Sequence, residues 1–434
     1  MKPITVIGGG LAGCEAAWQL AKRDIDVIIV EMKPEVKSPA HALDGMAELL
    51  CSNSFRGAGL TGAVGLLKEE LRLVGSLLMD CAAKTAVPAG RALAVNRQLF
   101  SQTVEAAIST HPKIKIERRR QDTLPTDDLT ILASGPLTDG PLMESLQRCG
   151  VSLSYHDAIA PMISADSLDR SVIFAADRYE DNTKDAGYLN CPMNEREYFE
   201  FVQALVNAQK TPLKDFETAP FFEGCLPVEE MASRGAQTLS HGPLKPVGLI
   251  DPRTGKRPYA VVQLRKEDTA GTAYNLVGFQ TRLTRPEQLR VLRTIPGMEK
   301  AVFERYGQIH RNSFVDAPRM LDKWLRLNTA PNVTLAGQIT GVEGYVESIA
   351  SGCLAAVYIA AQLRGETPVF PPASTALGGI ARHTGRAVSN YQPSNIVWSM
   401  IETAPRARRQ KKHEHRQAAA KQALSDIAYW IAKI

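Results

Sequence analysis

The feature that most restricts this chain stands at its start. Ile4-Thr5-Val6-Ile7 has the β-rich character of a short strand. It runs straight into Gly8-Gly9-Gly10-Leu11-Ala12-Gly13, which fits G-x-G-x-x-G. A helix-compatible stretch follows, and Asp26-Val27-Ile28-Ile29-Val30-Glu31 reads as a second strand ending in an acid. This order predicts a βαβ unit that binds a dinucleotide. Gly8 permits the tight turn, Gly10 lets the backbone approach a pyrophosphate, and Gly13 lets the helix pack close to the strand. Gly9, Leu11 and Ala12 complete the turn and the helix N-terminus, whose unpaired N–H groups face phosphate charge. Glu31 lies eighteen residues past Gly13, where a carboxylate can accept from a ribose 2′-hydroxyl.

A glycine-rich turn without a ligand is the competing reading of such a motif. The strand before, the helix after and the correctly spaced acid weigh against it. The nucleotide itself stays open here, because NAD and S-adenosylmethionine sites also use glycine turns with a downstream acid.

At 434 residues the chain exceeds one simple core, and about two or three domains are expected. Residues 66–82 alternate apolar and charged positions at helical spacing. Ile114-Lys115-Ile116 reads as a strand, and the apolar strand Leu129–Ala133 runs into the turn Ser134-Gly135-Pro136. Strands interleaved with helices predict a parallel sheet. Between 151 and 310 the rhythm changes. A helical patch at 194–209 precedes short β-rich runs at Tyr259–Leu264 and Tyr274–Phe279, with frequent Pro and Gly. Val333–Gly337 then returns as a strand into a Gly-rich stretch, followed by an apolar helix at 348–363 and a final helical segment with Trp430. The expected organisation is a nucleotide-binding domain begun at 1–150, an inserted mixed α/β domain at 151–310, and a return at 311–434 that includes a basic C-terminal tail.

No apolar run approaches the ~20 residues of a membrane helix. A strand beginning at residue 4 leaves no room for a signal peptide. Neither a membrane span nor secretion is expected. The seven cysteines are odd in number, widely spaced and without C-x-x-C, so a disulfide framework or metal site is not expected. They read as free thiols of a reducing cytoplasm, mostly buried. Taken alone, neither Cys51 nor Cys225 carries a signature of reactivity, which requires partial exposure and an electropositive neighbour. The net charge of +5 is concentrated: residues 406–421 hold seven basic residues against Glu414, and the rest of the chain holds 44 basic against 45 acidic. A polyanionic partner such as RNA explains the cluster, with Arg408, Arg409, Lys411 and Lys412 at its centre. A solvated helix face is the alternative.

Two later segments favour FAD. The strand ending Ala133-Ser134-Gly135 resembles the second FAD-contacting strand of the glutathione-reductase-like flavoproteins. Ala336-Gly337-Gln338-Ile339-Thr340-Gly341 resembles their third, where a helix N-terminus meets the flavin. The fold class that follows is α/β: a glutathione-reductase-like Rossmann FAD-binding domain with an inserted mixed α/β domain. Longer words then point to one family. They are Gly8–Gly13 with Glu15, Cys51-Ser52-Asn53-Ser54, Pro88-Ala89-Gly90 with Ala92–Val95, and Tyr188–Met193. They continue through Pro243–Leu249, Asp251–Lys256, Gly278–Thr281, His310-Arg311-Asn312 and Gly341–Tyr345. Over almost its whole length the chain resembles the TrmFO family of folate- and FAD-dependent tRNA uracil-C5 methyltransferases. It departs at Gly62, where the family pattern has Asn, at Arg91 for Gly, and at Asn96 for Asp. Arg91 is expected near the flavin.

The resemblance implies FAD, 5,10-methylenetetrahydrofolate, NADH or NADPH as electron source, and the T-loop of tRNA as substrate. It casts Cys225 as the nucleophile that adds to uracil C6 and so activates C5. Cys51 becomes the partner that manages the proton or the flavin-borne one-carbon unit, and Cys191 stays structural. Gly337, Gln338, Gly341 and Tyr345 are expected at the flavin with Ala133 and Gly135, and His310 at the folate pterin or flavin. The Lys245-Pro246 and Asp251–Lys256 words either contact RNA or form turns. Four alternatives remain open: the same chemistry on ribosomal RNA, the longer flavoproteins that modify wobble uridines, a non-catalytic tRNA-binding module that keeps FAD for stability, and an NAD(P)H-dependent FAD oxidoreductase acting on a small molecule. The last usually carries a second G-x-G-x-x-G, which is not found here.

Overall fold

The parallel sheet expected from the βαβ unit has Ile4–Ile7 near its middle. The computed structural model describes residues 2–38, 40–150, 152–178, 186–212, 221, 225–385 and 391–434. Across the sheet the order is Arg326–Leu327, Ala330–Leu335, Thr130–Leu132, Ile4–Ile7, Val27–Glu31 and Ile114–Arg118. All neighbours are parallel except the Arg326–Leu327 edge strand. Helices cover the sheet, so its inner strands are apolar on both sides rather than alternating.

The helix Leu11–Ala21 packs against the long helix Tyr345–Leu363. Both are apolar nearly all round because both are enclosed. Tyr345–Leu363 is long and apolar enough to cross a membrane, yet almost all of it is buried in this core. The helix begins at Tyr345 rather than at 348. The stretch 66–82 is two helices, Ala63–Val74 and Leu77–Lys84, not one. Gly75 adopts a left-handed φ of +79°, and the Ser76 hydroxyl accepts from the Met79 N–H at 3.2 Å to start the second helix. The apolar spacing continues through the bend and conceals it. The bend brings Ser76 and Leu78 to the buried Glu15 carboxylate, which accepts from the Ser76 hydroxyl at 2.7 Å and the Leu78 N–H at 3.3 Å.

The strands Ser152–Ile159 and Gln308–Val315 pair antiparallel. The chain between them forms a second six-stranded sheet, antiparallel throughout and ordered Phe174–Ala175, Tyr188–Met193, Ala260–Lys266, Ala273–Leu276, Met162–Ser164 and Phe303–Arg305. It has its own apolar core with Tyr198, Phe201 and Phe279 at the centre. The helix Glu195–Val206, opened by a capping box of Asn194 and Glu197, closes one face. A small third sheet of Ser54–Gly57, Ala92–Val95 and Ala86–Val87 is too short to carry a readable alternation.

The basic segment is not a free tail. Lys411 and Lys412 begin the helix Lys412–Ile431, which is docked through Ala420, Ala423, Ile427 and Trp430. Two departures from the family pattern lie at helix starts. Asn96 accepts from the Leu99 N–H at 3.0 Å, as Asp would. Gly62 caps Ala63–Val74 without a side-chain bond, a loss of only a few tenths of a kcal/mol relative to Asn.

Candidate active site

Outside the carboxyl ends of the parallel strands lies a cleft with about 1410 Å³ of open space. Its location is the usual one for ligands in open α/β sheets. One end is lined by Gly8, Gly9, Gly10, Leu11, Ala12 and Glu31. The cleft continues past Ala133 and Gly135 to Gly337, Gln338, Glu343, Tyr345, Asp157, His310 and Cys51.

The nucleotide end is made of backbone. Gly8 has φ +102°, and a Cβ there would lie 2.4 Å from the Ala133 carbonyl oxygen. A Cβ on Gly13 would lie 1.9 Å from the Gly8 carbonyl oxygen. A Cβ on Gly10 would meet no described atom within 4 Å, so its smallness leaves room for a ligand rather than for the protein. The buried Glu31 carboxylate accepts from the Gly9 N–H at 2.6 Å and the Lys33 N–H at 2.8 Å, keeping a further lone pair on each oxygen for a ribose hydroxyl. This donor set fits a dinucleotide. Gly13 and Gly341 do not line the cleft. Gly13 serves helix packing, and a Cβ on Gly341 would collide with the Tyr391 ring at 2.4 Å.

The thiol end is made of side chains from distant parts of the chain. The Tyr345 hydroxyl accepts from the N–H groups of Cys51 at 2.9 Å and Ser52 at 3.0 Å, and donates to the Ser52 carbonyl at 3.0 Å. The buried Asn53 donates to the carbonyls of Val95 at 3.1 Å and Lys266 at 2.8 Å, and accepts from Arg265 at 2.8 Å. Arg97 donates to the Leu49 carbonyl at 3.0 Å and forms a two-pronged pair with Glu267 at 2.6 and 3.0 Å. Arg305 donates to the Leu50 carbonyl at 3.0 Å. The loop that carries Cys51 is thus pinned by the helix starts at Arg97 and Tyr345 and by the second sheet.

The Cys51 thiol donates to the Ala158 carbonyl at 3.9 Å. The neighbouring Cys51 thiol, burial, and the negative charges of Asp157 and Glu343 push Cys225 well above the usual thiol range. Glu343 receives hydrogen bonds from the Tyr155 hydroxyl and from the Gln338 amide at 2.6 Å. Burial, helped by the Asp157 charge, still raises its carboxyl to about 8. His310 Nε2 stands 3.6 Å from Asp157, and its buried Nδ1 has no hydrogen-bond partner among the described residues.

Of the residues singled out from sequence, Cys51 and Tyr345 meet at one end of the cleft with His310, and Cys225 reaches it through Cys51. Tyr345 does more than offer a ring, since its hydroxyl holds the Cys51 loop. Gln338 is engaged by Glu343 and Tyr155. Arg91 does not line the cleft. All seven cysteines are free, and Cys191 is buried in the second core. Arg408, Arg409, Lys411 and Lys412 are exposed and line no part of the cleft. The word Asp251–Lys256 is a turn closed by the Asp251–Arg253 pair at 2.8 Å. Sequence reasoning missed Asp157, Arg97, Glu267 and Arg305, none of which stands in a motif. Asn53 and Glu343 lie inside words shared with the family but carry no local sign of their roles.

A family model described as "Glucose inhibited division protein A" matches residues 3–367. The methylenetetrahydrofolate–tRNA-(uracil-5-)-methyltransferase TrmFO of Geobacter sulfurreducens is 53% identical over 433 residues, which is 99% of either chain. Its namesake from Citrifermentans bemidjiense is 51% identical with the same coverage of both chains. Among solved structures, Aquifex aeolicus GidA in its form I crystal superimposes with a TM-score of 0.71 at 14% identity, covering 100% of this chain and 76% of that one. That last likeness speaks to fold alone.

Proposed function

The chain belongs to the TrmFO family of methylenetetrahydrofolate–tRNA-(uracil-5-)-methyltransferases, and from that premise we propose that it methylates uracil C5 in the T-loop of tRNA. The observation that carries the reading is the meeting of two thiols from separate segments at one end of a cleft shaped for a long dinucleotide. FAD fits that cleft, with its pyrophosphate over Gly8–Ala12, a ribose at Glu31, and the remainder along Ala133, Gly135 and Gly337 toward Tyr345. Reduced FAD, when bound, supplies the two electrons that carry a one-carbon unit from the methylene to the methyl level. The carbon donor is 5,10-methylenetetrahydrofolate, and NADH or NADPH is the ultimate reductant.

The chain's own groups then have separable tasks. Cys225 adds to uracil C6, which raises electron density at C5. Cys51, its electrostatic neighbour, takes the proton that Cys225 must lose. His310 meets the folate pterin, its free Nδ1 being available to a ligand. The uridine has to leave the stack to reach a thiol inside a cleft. The exposed Arg408, Arg409, Lys411 and Lys412 contribute phosphate contacts. We read residues 151–310 as the insertion that carries Cys225 to a flavin domain formed by 1–150 and 311–434. A tRNA substrate places the protein in the cytoplasm.

The test is nucleoside analysis of unmodified tRNA transcript after incubation with the purified protein, methylenetetrahydrofolate and NAD(P)H. The expected product is 5-methyluridine, absent when S-adenosylmethionine replaces folate and absent with Cys225→Ala. Undiminished product from Cys225→Ala, or product from S-adenosylmethionine alone, would overturn the reading.

A further inference from the structure

Glu343 lines the cleft together with Gln338 and Tyr345, and its backbone is held in place. The Glu343 N–H donates to the Ser394 carbonyl at 2.9 Å, and the Glu343 carbonyl accepts from the Asn395 amide at 2.6 Å. Of the two side-chain oxygens, one takes the whole load. Oε2 accepts from the Tyr155 hydroxyl and from Gln338 Nε2 at 2.6 Å. The same Gln338 amide donates to the Tyr155 oxygen at 2.6 Å, so Tyr155 takes one hydrogen from Gln338 and gives its own to Oε2. An oxygen of this kind has two lone pairs, and on Oε2 both are used. Oε1 receives no hydrogen bond from a described residue. Unlike His310 Nδ1, it is not sealed in by protein, so it opens on the cleft.

The charged and titratable groups around this carboxyl offer it no cation. Tyr155 and Asp157 face it from the strand Ser152–Ile159, Glu347 from the helix Tyr345–Leu363, and Cys225 from the second segment. Glu347 is itself paired with Arg56, and His310 is turned to Asp157. Burial, helped by Asp157, therefore keeps the proton on Glu343 up to about pH 8. With Oε2 full, that proton belongs on Oε1. A buried carboxylic acid kept neutral in this way can donate a hydrogen bond at neutral pH.

We propose that Glu343 is a hydrogen-bond donor to the flavin, its Oε1–H meeting a carbonyl oxygen or imine nitrogen of the bound isoalloxazine, and that Tyr155 and Gln338 are the positioning residues that turn it that way. The inference rests on the reading that FAD runs from Gly8 toward Tyr345, and it adds a polar partner for the ring. Once ionised, Glu343 would set a second acceptor against the ring's own acceptors. FAD therefore binds the protonated form, and its affinity falls as pH rises through the value set by the free protein.

The experiment strips FAD from the purified protein and titrates it back by flavin fluorescence between pH 7 and 9, for wild type, Glu343→Gln and Glu343→Leu. Wild type should lose about tenfold in affinity across that interval. In Glu343→Gln the amide oxygen can take the bonds from Tyr155 and Gln338 while the amide nitrogen keeps a donor in the cleft, so its affinity should match wild type at pH 7 and stay flat. Glu343→Leu should also be flat but about fivefold weaker than Glu343→Gln at pH 7. A flat wild type, or a parallel fall in Glu343→Gln, overturns the proposal, and this comparison stands even where Glu343→Leu does not fold. Equal affinities of Glu343→Leu and Glu343→Gln also overturn it, since Glu343 would then act only as a repelling charge. Tetrahydrofolate titrated onto the FAD-loaded protein over the same interval tests the other heterocycle: a fall confined to it would give the donor to the pterin instead. Failure to bind FAD at all would sink the functional reading, whereas tight but pH-independent FAD would sink only this inference.

Discussion

The nucleotide end and the thiol end of the cleft are built on opposite principles. At the first, backbone does the recognition. Gly8 to Ala12 present N–H groups and open space, and the one essential side chain, Glu31, is itself held by the N–H groups of Gly9 and Lys33. At the second, backbone is what gets recognised. The Cys51 loop is gripped by Tyr345, Arg97 and Arg305, from segments spread over most of the chain. The first can form as soon as one βαβ unit folds. The second exists only when both sheets are in place.

The glycines offer the largest break of that contrast. Gly13→Ala would put a Cβ 1.9 Å from the Gly8 carbonyl oxygen, inside the helix–strand contact that the whole first core rests on. It should destabilise the protein by about 3 kcal/mol or more, seen as loss of soluble protein or a large fall in the urea midpoint. Gly10→Ala meets no described atom. It should leave the apoprotein's urea midpoint within ~0.5 kcal/mol of wild type while weakening FAD on the order of tenfold or more, read by flavin titration. Equal losses of stability in the two variants would mean that the turn is structural throughout and that Gly10 is not the point of ligand approach.

The same contrast explains what could be read from sequence. The βαβ unit was legible because its strand, turn, helix and acid are contiguous and each carries its own signal. The parallel sheet followed from the apolar runs at Val27–Val30 and Leu129–Ala133. The break at Gly75-Ser76 was invisible because apolar spacing runs through it. The thiol end was not legible from residue patterns at all: Cys51 and Cys225 entered through family resemblance. Arg305 and Asp157 have no motif because their partners lie some 150 to 250 residues away. Tyr345 was expected to offer its ring, and the hydroxyl's grip on Cys51 depends on a tertiary contact that no spacing encodes.

Charge should separate the two ends next. Glu343 belongs to the thiol end, and its carboxyl is raised to about 8, first by burial and then by Asp157. A raised carboxyl binds its proton more tightly in the folded than in the unfolded chain. Its contribution is therefore intact below the ordinary carboxylate range and is lost as pH climbs toward 8. Glu343→Gln keeps an acceptor for Tyr155 and Gln338 but cannot ionise. Relative to wild type it should gain stability with rising pH, on the order of 1 kcal/mol per pH unit at the steepest, between about pH 5 and 8 by urea unfolding. Its flavin affinity should stay flat over that interval. A stability difference that does not change with pH would show that Glu343 does not carry the proton assigned to it.

The smallest effect is expected from a region that belongs to neither end. Arg408 and Arg409 are exposed, line no part of the cleft, and precede a helix whose N-terminus already carries Lys411 and Lys412. Basic residues at a helix N-terminus oppose the helix dipole, so they do not stabilise the fold there. Replacing Arg408 and Arg409 by Gln should leave the flavin spectrum unchanged. It should weaken tRNA binding modestly and lower the slope of log affinity against log salt by roughly two, about one per phosphate contact removed. The two ends of the cleft would then account for chemistry and cofactor, and the helix start for RNA capture. An unchanged salt slope would move RNA capture elsewhere, first to the exposed Lys256 and Arg257 side of the second sheet.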